Sequence, residues 1–107
     1  MRDTVGWDIG GAHLKAAHCA DGRLQRVRQL PTPLWQGLQH LEAATAAVLD
    51  ALPATPLLHA VTMTGELADL FPDRQRGVCG IADAFADALA RRRPRDDLRF
   101  FAGDAGL

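Results

Sequence analysis

Four residues near the start of the chain have the types and the spacing of a phosphate-binding turn. They are Asp8, Gly10, Gly11 and Lys15, within a segment that runs from Asp8 to Lys15. Glycines let a phosphate approach backbone N–H groups. An aspartate at a strand end can hold Mg²⁺, usually through water, and a lysine supplies a point charge to a phosphate oxygen. The segment predicts phosphate binding, although an ordinary Gly-Gly hairpin with a solvated lysine has the same spacing.

This turn differs from two widespread phosphate motifs. It has neither the Gly-Lys-Ser/Thr of a Walker A loop nor the Gly-x-Gly-x-x-Gly of a dinucleotide loop. Its lysine stands out, because the chain has eleven arginines and Lys15 is its one lysine. A compact ammonium and a planar guanidinium serve different purposes. The single lysine therefore favours a phosphate contact, against the alternative that one lysine survives by chance.

A second pair of polar residues follows a β-rich run over 57–64. Thr64 ends this run and Glu66 comes just after it. If this strand lies beside the first one, Glu66 is placed to be a second metal contact or a general base. The alternative for Glu66 is a carboxylate at a helix start, stabilised by the helix dipole. Asp69 is expected to be a surface residue.

Periodicity predicts the elements that position these residues. Val5, Trp7 and Ile9 alternate as in a strand, and Asp21-Gly22 is a hairpin turn signal. Thr32-Pro33 is typical of a helix start, with Thr as the N-cap. The predicted elements, in order, are strands over 4–9, 13–19 and 24–30, a helix from 33 to near Pro53, a strand over 57–64, a helix over 77–93 and a strand over 98–102.

The element order is therefore β-β-β-α-β-α-β. Right-handed crossovers would set the last two strands parallel to the first, in one mixed sheet covered by helices. This is the order of a ribonuclease-H-like α/β domain. No internal repeat or interdomain linker interrupts it, so we expect residues 1–107 to form a single domain.

Composition excludes several classes of protein. The chain has 107 residues, 48% of them hydrophobic, and a formal net charge of -1. A chain of this kind can bury a core, and its charge gives no reason to expect a nucleic-acid partner. No apolar run approaches the ~20 residues that span a bilayer. Without a secretory signal at the N-terminus, the expected compartment is the cytoplasm. Two cysteines are too few for a disulfide framework or a zinc site.

The N-terminal pattern Asp-x-Gly-Gly-x-x-x-Lys resembles the first phosphate motif of the actin, sugar kinase and heat-shock chaperone ATPase superfamily. More narrowly, residues 6–17, GWDIGGAHLKAA, and 61–69, VTMTGELAD, resemble the hydantoinase/oxoprolinase-like proteins of tetrahydromethanopterin-linked one-carbon metabolism. Relatives in that group include a synthase of methanofuran biosynthesis. The similarity continues through Gly77-Val78 and the helix after it.

This resemblance implies an actin-like fold of two ribonuclease-H-like halves, with Mg²⁺ and ATP or a phosphorylated substrate between them. Asp8 would take the metal-binding role, Gly10 and Gly11 would contact phosphate, and Lys15 would offset its charge. Thr64 would join the ligand contacts and Glu66 the catalytic residues. Members of the family are several hundred residues long. The chain therefore corresponds to the N-terminal half, and we expect it to be inactive without the second one.

Two other functions remain open from the residues alone. Asp8 and Glu66 could form the two-metal carboxylate pair of a ribonuclease-H-like nuclease. Alternatively, the domain could be a non-catalytic interaction module. A half-domain without its partner should expose apolar surface. Its partners would then be a second half-domain or another copy of itself, besides a small phosphate ligand. No nucleic acid or membrane partner is expected.

Overall fold

A computed structural model describes residues 3–63 and 74–101. Within these ranges the chain forms five strands, two α-helices and one short 3₁₀ turn. The strands are β1 (Asp3–Ile9), β2 (His13–Ala20), β3 (Arg23–Pro31), β4 (Leu57–Met63) and β5 (Asp97–Phe101). The helices are α1 (Gln39–Asp50) and α2 (Arg74–Arg92), and the 3₁₀ turn is Leu34–Gln36.

All five strands join one mixed sheet in the order β3-β2-β1-β4-β5. The first three strands form an antiparallel meander, while β4 pairs parallel to β1 and β5 parallel to β4. The predicted β-β-β-α-β-α-β order is therefore confirmed. The turn between β2 and β3 has positive φ at both Asp21 (53°) and Gly22 (74°). That combination defines the type I′ hairpin turn which Asp-Gly favours.

Both helices cover the same face of the sheet. Val5, Trp7 and Ile9 of β1 are buried on this face. The Phe85 ring of α2 packs edge-on against Trp7 with centroids 4.9 Å apart, and meets Phe100 of β5 at 6.4 Å. Buried residues of α1 complete the core: Leu41, Ala44, Thr45, Val48 and Leu49. In the described ranges, neither helix has the length and apolar character needed to cross a membrane.

The first helix begins later than its sequence signals predict. Thr32-Pro33 does not start α1, because the 3₁₀ turn comes first and Gly37 then adopts φ 135° and ψ 157°. That conformation lies far from helical values, so α1 starts only at Gln39. Thr32 has a different role from capping: its N–H donates to the Ala12 carbonyl (2.7 Å) and its hydroxyl to the Leu30 carbonyl (3.3 Å).

The opposite face of the sheet carries no helix within the described residues. We call it the helix-free face; on β1 it comprises Thr4, Gly6 and Asp8. The exposed large apolar side chains of the described chain belong here: Leu24 (62% exposed), Val27 (59%) and Phe101 (55%). Their register partners on the neighbouring strands share this face with them. An exposed apolar surface of this kind is typical of a contact region.

A chain of buried polar contacts fastens β5 and the end of α2 to the centre of the sheet. Trp7 Nε1 donates to His59 Nδ1 at 2.9 Å, and His59 Nε2 contacts Asp96 Oδ2 at 2.7 Å. Because Nδ1 accepts from the indole, the proton of the neutral imidazole sits on Nε2 and is donated to Asp96. Asp96 also accepts from the Leu57 N–H (3.1 Å) and from Arg93.

The arginines at the end of α2 and just after it make structural contacts. Arg93 donates to the carbonyls of Pro53 (2.7 Å) and Thr55 (2.9 Å), so it ties the segment before β4 to the one before β5. Arg92 pairs with Asp50 at the end of α1, at 2.8 Å. These contacts favour a structural role for the basic cluster over a nucleic-acid contact.

The His59 network predicts a pH-dependent stability. Burial lowers the pKa of His59 below its usual 6.5, although the Asp96 contact opposes this. The unfolded chain therefore takes up a proton that the folded chain resists. We expect the free energy of unfolding to fall as the pH drops below about 6.5, by at most about 1.4 kcal/mol per pH unit. Urea unfolding between pH 7.5 and 5 measures this slope.

The matched variants are His59→Gln, which should flatten the slope in this window, and His13→Gln, whose exposed side chain should leave it intact.

A further loss of stability is expected in acid, below about pH 4. Burial tends to raise the pKa of Asp96, but hydrogen bonds from Arg93, His59 and Leu57 outweigh it and hold the pKa below its usual 3.8. A flat profile between pH 7.5 and 5 contradicts the first expectation.

Substituting valine for each of two buried threonines should change the free energy of unfolding in opposite directions. The Thr45 hydroxyl is buried in α1 without a hydrogen-bond partner among the described residues, whereas the Thr32 hydroxyl donates to Leu30. Valine keeps the shape and removes the hydroxyl. Thr45→Val should therefore raise the free energy of unfolding by about 1 kcal/mol, and Thr32→Val should lower it by about the same amount. Urea titrations of both variants provide the comparison, and equal signs would refute it.

Candidate functional site

Asp8 and Lys15 lie side by side on the helix-free face. They are directly opposed in the antiparallel pairing of β1 and β2. Side chains at such positions have Cβ atoms about 5 Å apart. Lys15 is exposed, and Asp8 is half-buried and takes part in an interaction with another group. The hairpin therefore places a carboxylate and an ammonium together beside its own turn. The spacing predicted the two strands that carry them, and the register shows that they are directly opposed.

The turn itself uses the glycines differently from the expectation. Neither Gly10 nor Gly11 has positive φ. The Gly10 N–H donates to the His13 carbonyl at 3.0 Å, so this amide closes the hairpin and is not free for a phosphate. A Cβ at Gly10 would lie 3.3 Å from the same carbonyl oxygen. Glycine at position 10 therefore serves the close approach of the two strands.

The tip of the turn is anchored from outside. The Gly11 carbonyl accepts from the Leu34 N–H at 3.2 Å, and the Ala12 carbonyl accepts from the Thr32 N–H at 2.7 Å. Both carbonyls are thus held by the segment between β3 and α1. In the described ranges, the N–H groups of Gly11 and Ala12 do not donate to a backbone carbonyl. These two amides are the backbone donors that the turn can offer to an anion.

The end of β4 lies next to this turn, as the hypothesis for Glu66 requires. Strand β4 runs parallel to β1, with Ile9 opposite Met63 and Asp8 opposite Thr62. Thr62 therefore shares the helix-free face with Asp8, and its hydroxyl donates to the Trp7 carbonyl at 3.1 Å. The side chains that follow β4, Thr64 and Glu66, lie outside the described residues, as does Asp69.

Beside this turn, the described chain offers a divalent cation one carboxylate, that of Asp8. Residues 3–63 and 74–101 contain no group of three or more His, Cys, Asp or Glu side chains that could hold a metal. Mg²⁺ in phosphate sites is commonly held by one or two carboxylates together with phosphate oxygens and water. Asp8 fits the role of one such ligand. Glu66 stays a prediction for the second.

Two features of the site did not come from the motif. Thr62 was not expected beside Asp8; only the β1–β4 register shows that the even-numbered residues of β4 share its face. The anchoring of Gly11 and Ala12 by Thr32 and Leu34 was also missed, since a Thr-Pro pair favours a helix start. No local signal distinguishes a capping threonine from one that bonds a distant turn.

Comparison with known proteins gives partial matches in sequence. No family model matches the chain. An N-acetylmannosamine kinase of Shigella boydii is 42% identical over 67 residues, and that of Escherichia fergusonii is 40% identical over the same length. Each alignment covers 62% of this chain but only 23% of the kinase. The chain therefore spans about a quarter of the length of these curated relatives.

Solved structures show the fold. The RuvC protein of Thermus thermophilus, solved in complex with a Holliday junction substrate, superposes with a TM-score of 0.64 at 17% identity. The superposition covers 95% of this chain and 65% of that one. A second structure of Thermus thermophilus RuvC gives a TM-score of 0.61 at 18% identity, over 94% and 63% of the two chains. The described chain thus has the ribonuclease-H-like fold, the architecture shared by actin-like ATPases.

Proposed function

We propose that this chain is the phosphate-binding half of an actin-like, kinase-type protein. The pairing of Asp8 with Lys15 beside the anchored Gly10–Ala12 turn carries the proposal. The partial match to N-acetylmannosamine kinases supports it, because those proteins are named for phosphoryl transfer to a sugar. The ligand class is a nucleoside triphosphate or another phosphate ester bound with Mg²⁺.

Each residue of the turn has a distinct part in this proposal. The Gly11 and Ala12 amides donate to phosphate oxygens, since their carbonyls are already fixed by Leu34 and Thr32. Lys15 is exposed on the helix-free face beside Asp8 and offsets phosphate charge. Asp8 holds Mg²⁺, which when bound would neutralise charge on the phosphate oxygens. Glu66 and Thr64 are proposed to add a carboxylate and a hydroxyl from beyond β4.

Two narrower assignments can be proposed for this protein. A sugar kinase is the better-supported one, because the curated sequence matches are N-acetylmannosamine kinases. A hydantoinase/oxoprolinase-like synthase of methanofuran-type cofactor biosynthesis rests on the motifs at 6–17 and 61–69 alone. None of the relatives reported above belongs to that group.

We also propose that the domain acts with a second unit, either another half-domain or a second copy. The superposed and aligned regions cover only part of each relative, and the helix-free face leaves Leu24, Val27 and Phe101 exposed. A cleft needs two walls, and the described residues form one of them. The chain alone is therefore proposed to bind phosphate weakly and to lack turnover.

A metal-dependent nuclease is the second candidate function. The similarity of the fold to RuvC favours it, and Asp8 at the end of β1 would be one of its carboxylates. The formal net charge of -1 and the absence of a three-ligand cluster among the described residues weigh against it, since phosphate-backbone binding normally needs a cationic surface.

The phosphate proposal can be tested by NMR titration. MgATP or pyrophosphate with Mg²⁺ should shift the backbone amides of Gly11, Ala12 and Lys15 while leaving the β2–β3 turn unchanged. Lys15→Met should weaken binding about tenfold, the loss of one charge-assisted contact of about 1.5 kcal/mol. Arg99→Met is the matched control, because Arg99 is an exposed cation on the same face. Amide shifts that leave residues 8–15 untouched contradict the proposal.

The nuclease alternative has a separate test. We expect no cleavage of a labelled four-way junction, duplex or single strand at any Mg²⁺ or Mn²⁺ concentration. Cleavage that disappears in Asp8→Asn, at unchanged thermal stability, would instead establish the nuclease and displace the kinase-type assignment. The fold is common to both functions, so the assay separates the chemistry alone.

A further inference from the structure

Strand β3 ends the sheet on one side, so one row of its backbone N–H and C=O groups has no partner strand in the described chain. It is also the longest strand, with nine residues from Arg23 to Pro31. Six of its first seven positions are exposed, so the strand is open along most of its length. A long open edge is a template for pairing with another extended segment.

The two faces of β3 differ sharply in chemistry. Arg23, Arg26 and Arg28 lie opposite Ala20, His18 and Ala16 of β2, on the side of the sheet that carries the helices. Leu24 and Val27 lie opposite Cys19 and Ala17, on the helix-free face. Both apolar side chains are more than half exposed. The edge therefore presents cations on one side and apolar surface on the other.

Among the described residues, these arginines form no ion pair. None of the ion pairs found within residues 3–63 and 74–101 involves Arg23, Arg26 or Arg28. Arg28 donates to the Ala47 carbonyl at 3.1 Å, near the end of α1. Asp3, the acidic residue of β1 on this side, contacts His18 at 3.2 Å. The outer edge of β3 is therefore a positively charged strip.

A second copy of this chain is a poor occupant of the edge. Pairing two β3 strands would bring the arginines of both copies onto one face of the joint sheet, where like charges on neighbouring strands repel. An extended segment with acidic side chains on that face would meet the opposite field. If its alternate residues were apolar, they would cover Leu24 and Val27.

We propose that β3 binds an extended acidic segment of a partner protein, which adds a strand to the sheet by β-augmentation. Backbone hydrogen bonds along the edge supply the pairing, and acidic side chains on the helix-covered side face Arg26 and Arg28. Arg23 lies on the same side but beyond the register shift between His18 and Cys19, which leaves Gln25 as an extra residue in β3. Apolar side chains at the intervening positions pack on Leu24 and Val27. Arg23 lies beside the Asp21–Gly22 turn, at the far end of β2 from the phosphate-binding turn. This interaction does not depend on the proposed phosphate site.

The test uses the whole chain and three labelled nine-residue peptides. The first alternates Glu with Val, the second replaces every Glu with Lys, and the third is the Glu peptide with N-methyl groups on the amides that would face β3. Fluorescence anisotropy should show binding of the Glu peptide, and at least tenfold weaker binding of the other two. The Lys peptide tests the charge, and the N-methylated peptide tests the backbone pairing.

Charge reversal on the protein completes the test. Arg23→Glu with Arg26→Glu should weaken the Glu peptide roughly tenfold and strengthen the Lys peptide. Both side chains are exposed, so urea unfolding should show an intact fold. Arg91→Glu with Arg95→Glu is the matched control, since these exposed arginines lie away from β3, and it should leave both peptides unchanged.

Three outcomes overturn the proposal. One is equal binding of the Glu and N-methylated peptides, which removes strand pairing. Another is a Glu-peptide affinity that the Arg23/Arg26 reversal leaves unchanged. The third is an absence of peptide binding together with arginine-dependent binding of a single-stranded oligonucleotide, which would make the strip a nucleic-acid contact.

Discussion

The alternation of side chains along β1 is the constraint on which the rest of this structure depends. A strand sends successive residues to opposite faces of its sheet. On β1, Val5, Trp7 and Ile9 go to the buried face, and Thr4, Gly6 and Asp8 go to the other. Because β1 is the central strand, this division passes by register to its neighbours. The helices are confined to one side, and the charged pair Asp8–Lys15 to the other.

Trp7 connects that division to the edges of the domain. Its ring is packed by Phe85 of α2, while its N–H begins the contact chain through His59 and Asp96 to Arg93. Each buried polar side-chain atom of this Trp7–His59–Asp96 network has a partner, which is the condition under which such a network stabilises a core. The network fastens the α2–β5 segment to β4. It lies on the helix-covered face of the sheet, whereas Asp8 and Lys15 lie on the helix-free face, so structural and proposed functional polar groups are kept apart.

The two long open features of the domain follow from the same sheet. The helix-free face and the β3 edge both expose apolar side chains, and Leu24 and Val27 belong to both. Arginines distinguish the edge from the face: three of them line one side of β3. A sheet covered on one side needs either a second layer or a partner to bury such surface.

Much of the fold could be predicted from local pattern, and the exceptions have physical causes. Strand periodicity and the Asp21-Gly22 turn predicted the meander, because both are properties of a few adjacent residues. The predicted start of α1 was wrong. Thr32 and Pro33 are typical of a helix start. However, Thr32 donates hydrogen bonds to the carbonyls of Leu30 and Ala12, and Gly37 adopts a non-helical conformation. The bond from Thr32 to Ala12 joins segments that are distant in sequence.

The candidate site divides in the same way. The residue types and spacing from Asp8 to Lys15 predicted a carboxylate at the end of the first strand and a lysine on the next one, and the register of the hairpin places the two side by side. The sequence by itself thus determined the strands, their order along the chain and the residue types that the turn carries. Tertiary structure alone decided that the Gly10 amide closes the hairpin, that Thr32 and Leu34 hold the turn, and that Thr62 stands beside Asp8. The last two of these depend on contacts between segments far apart in the chain, whose geometry no local propensity specifies. The first is a local bond that the Gly-Gly spacing alone does not fix.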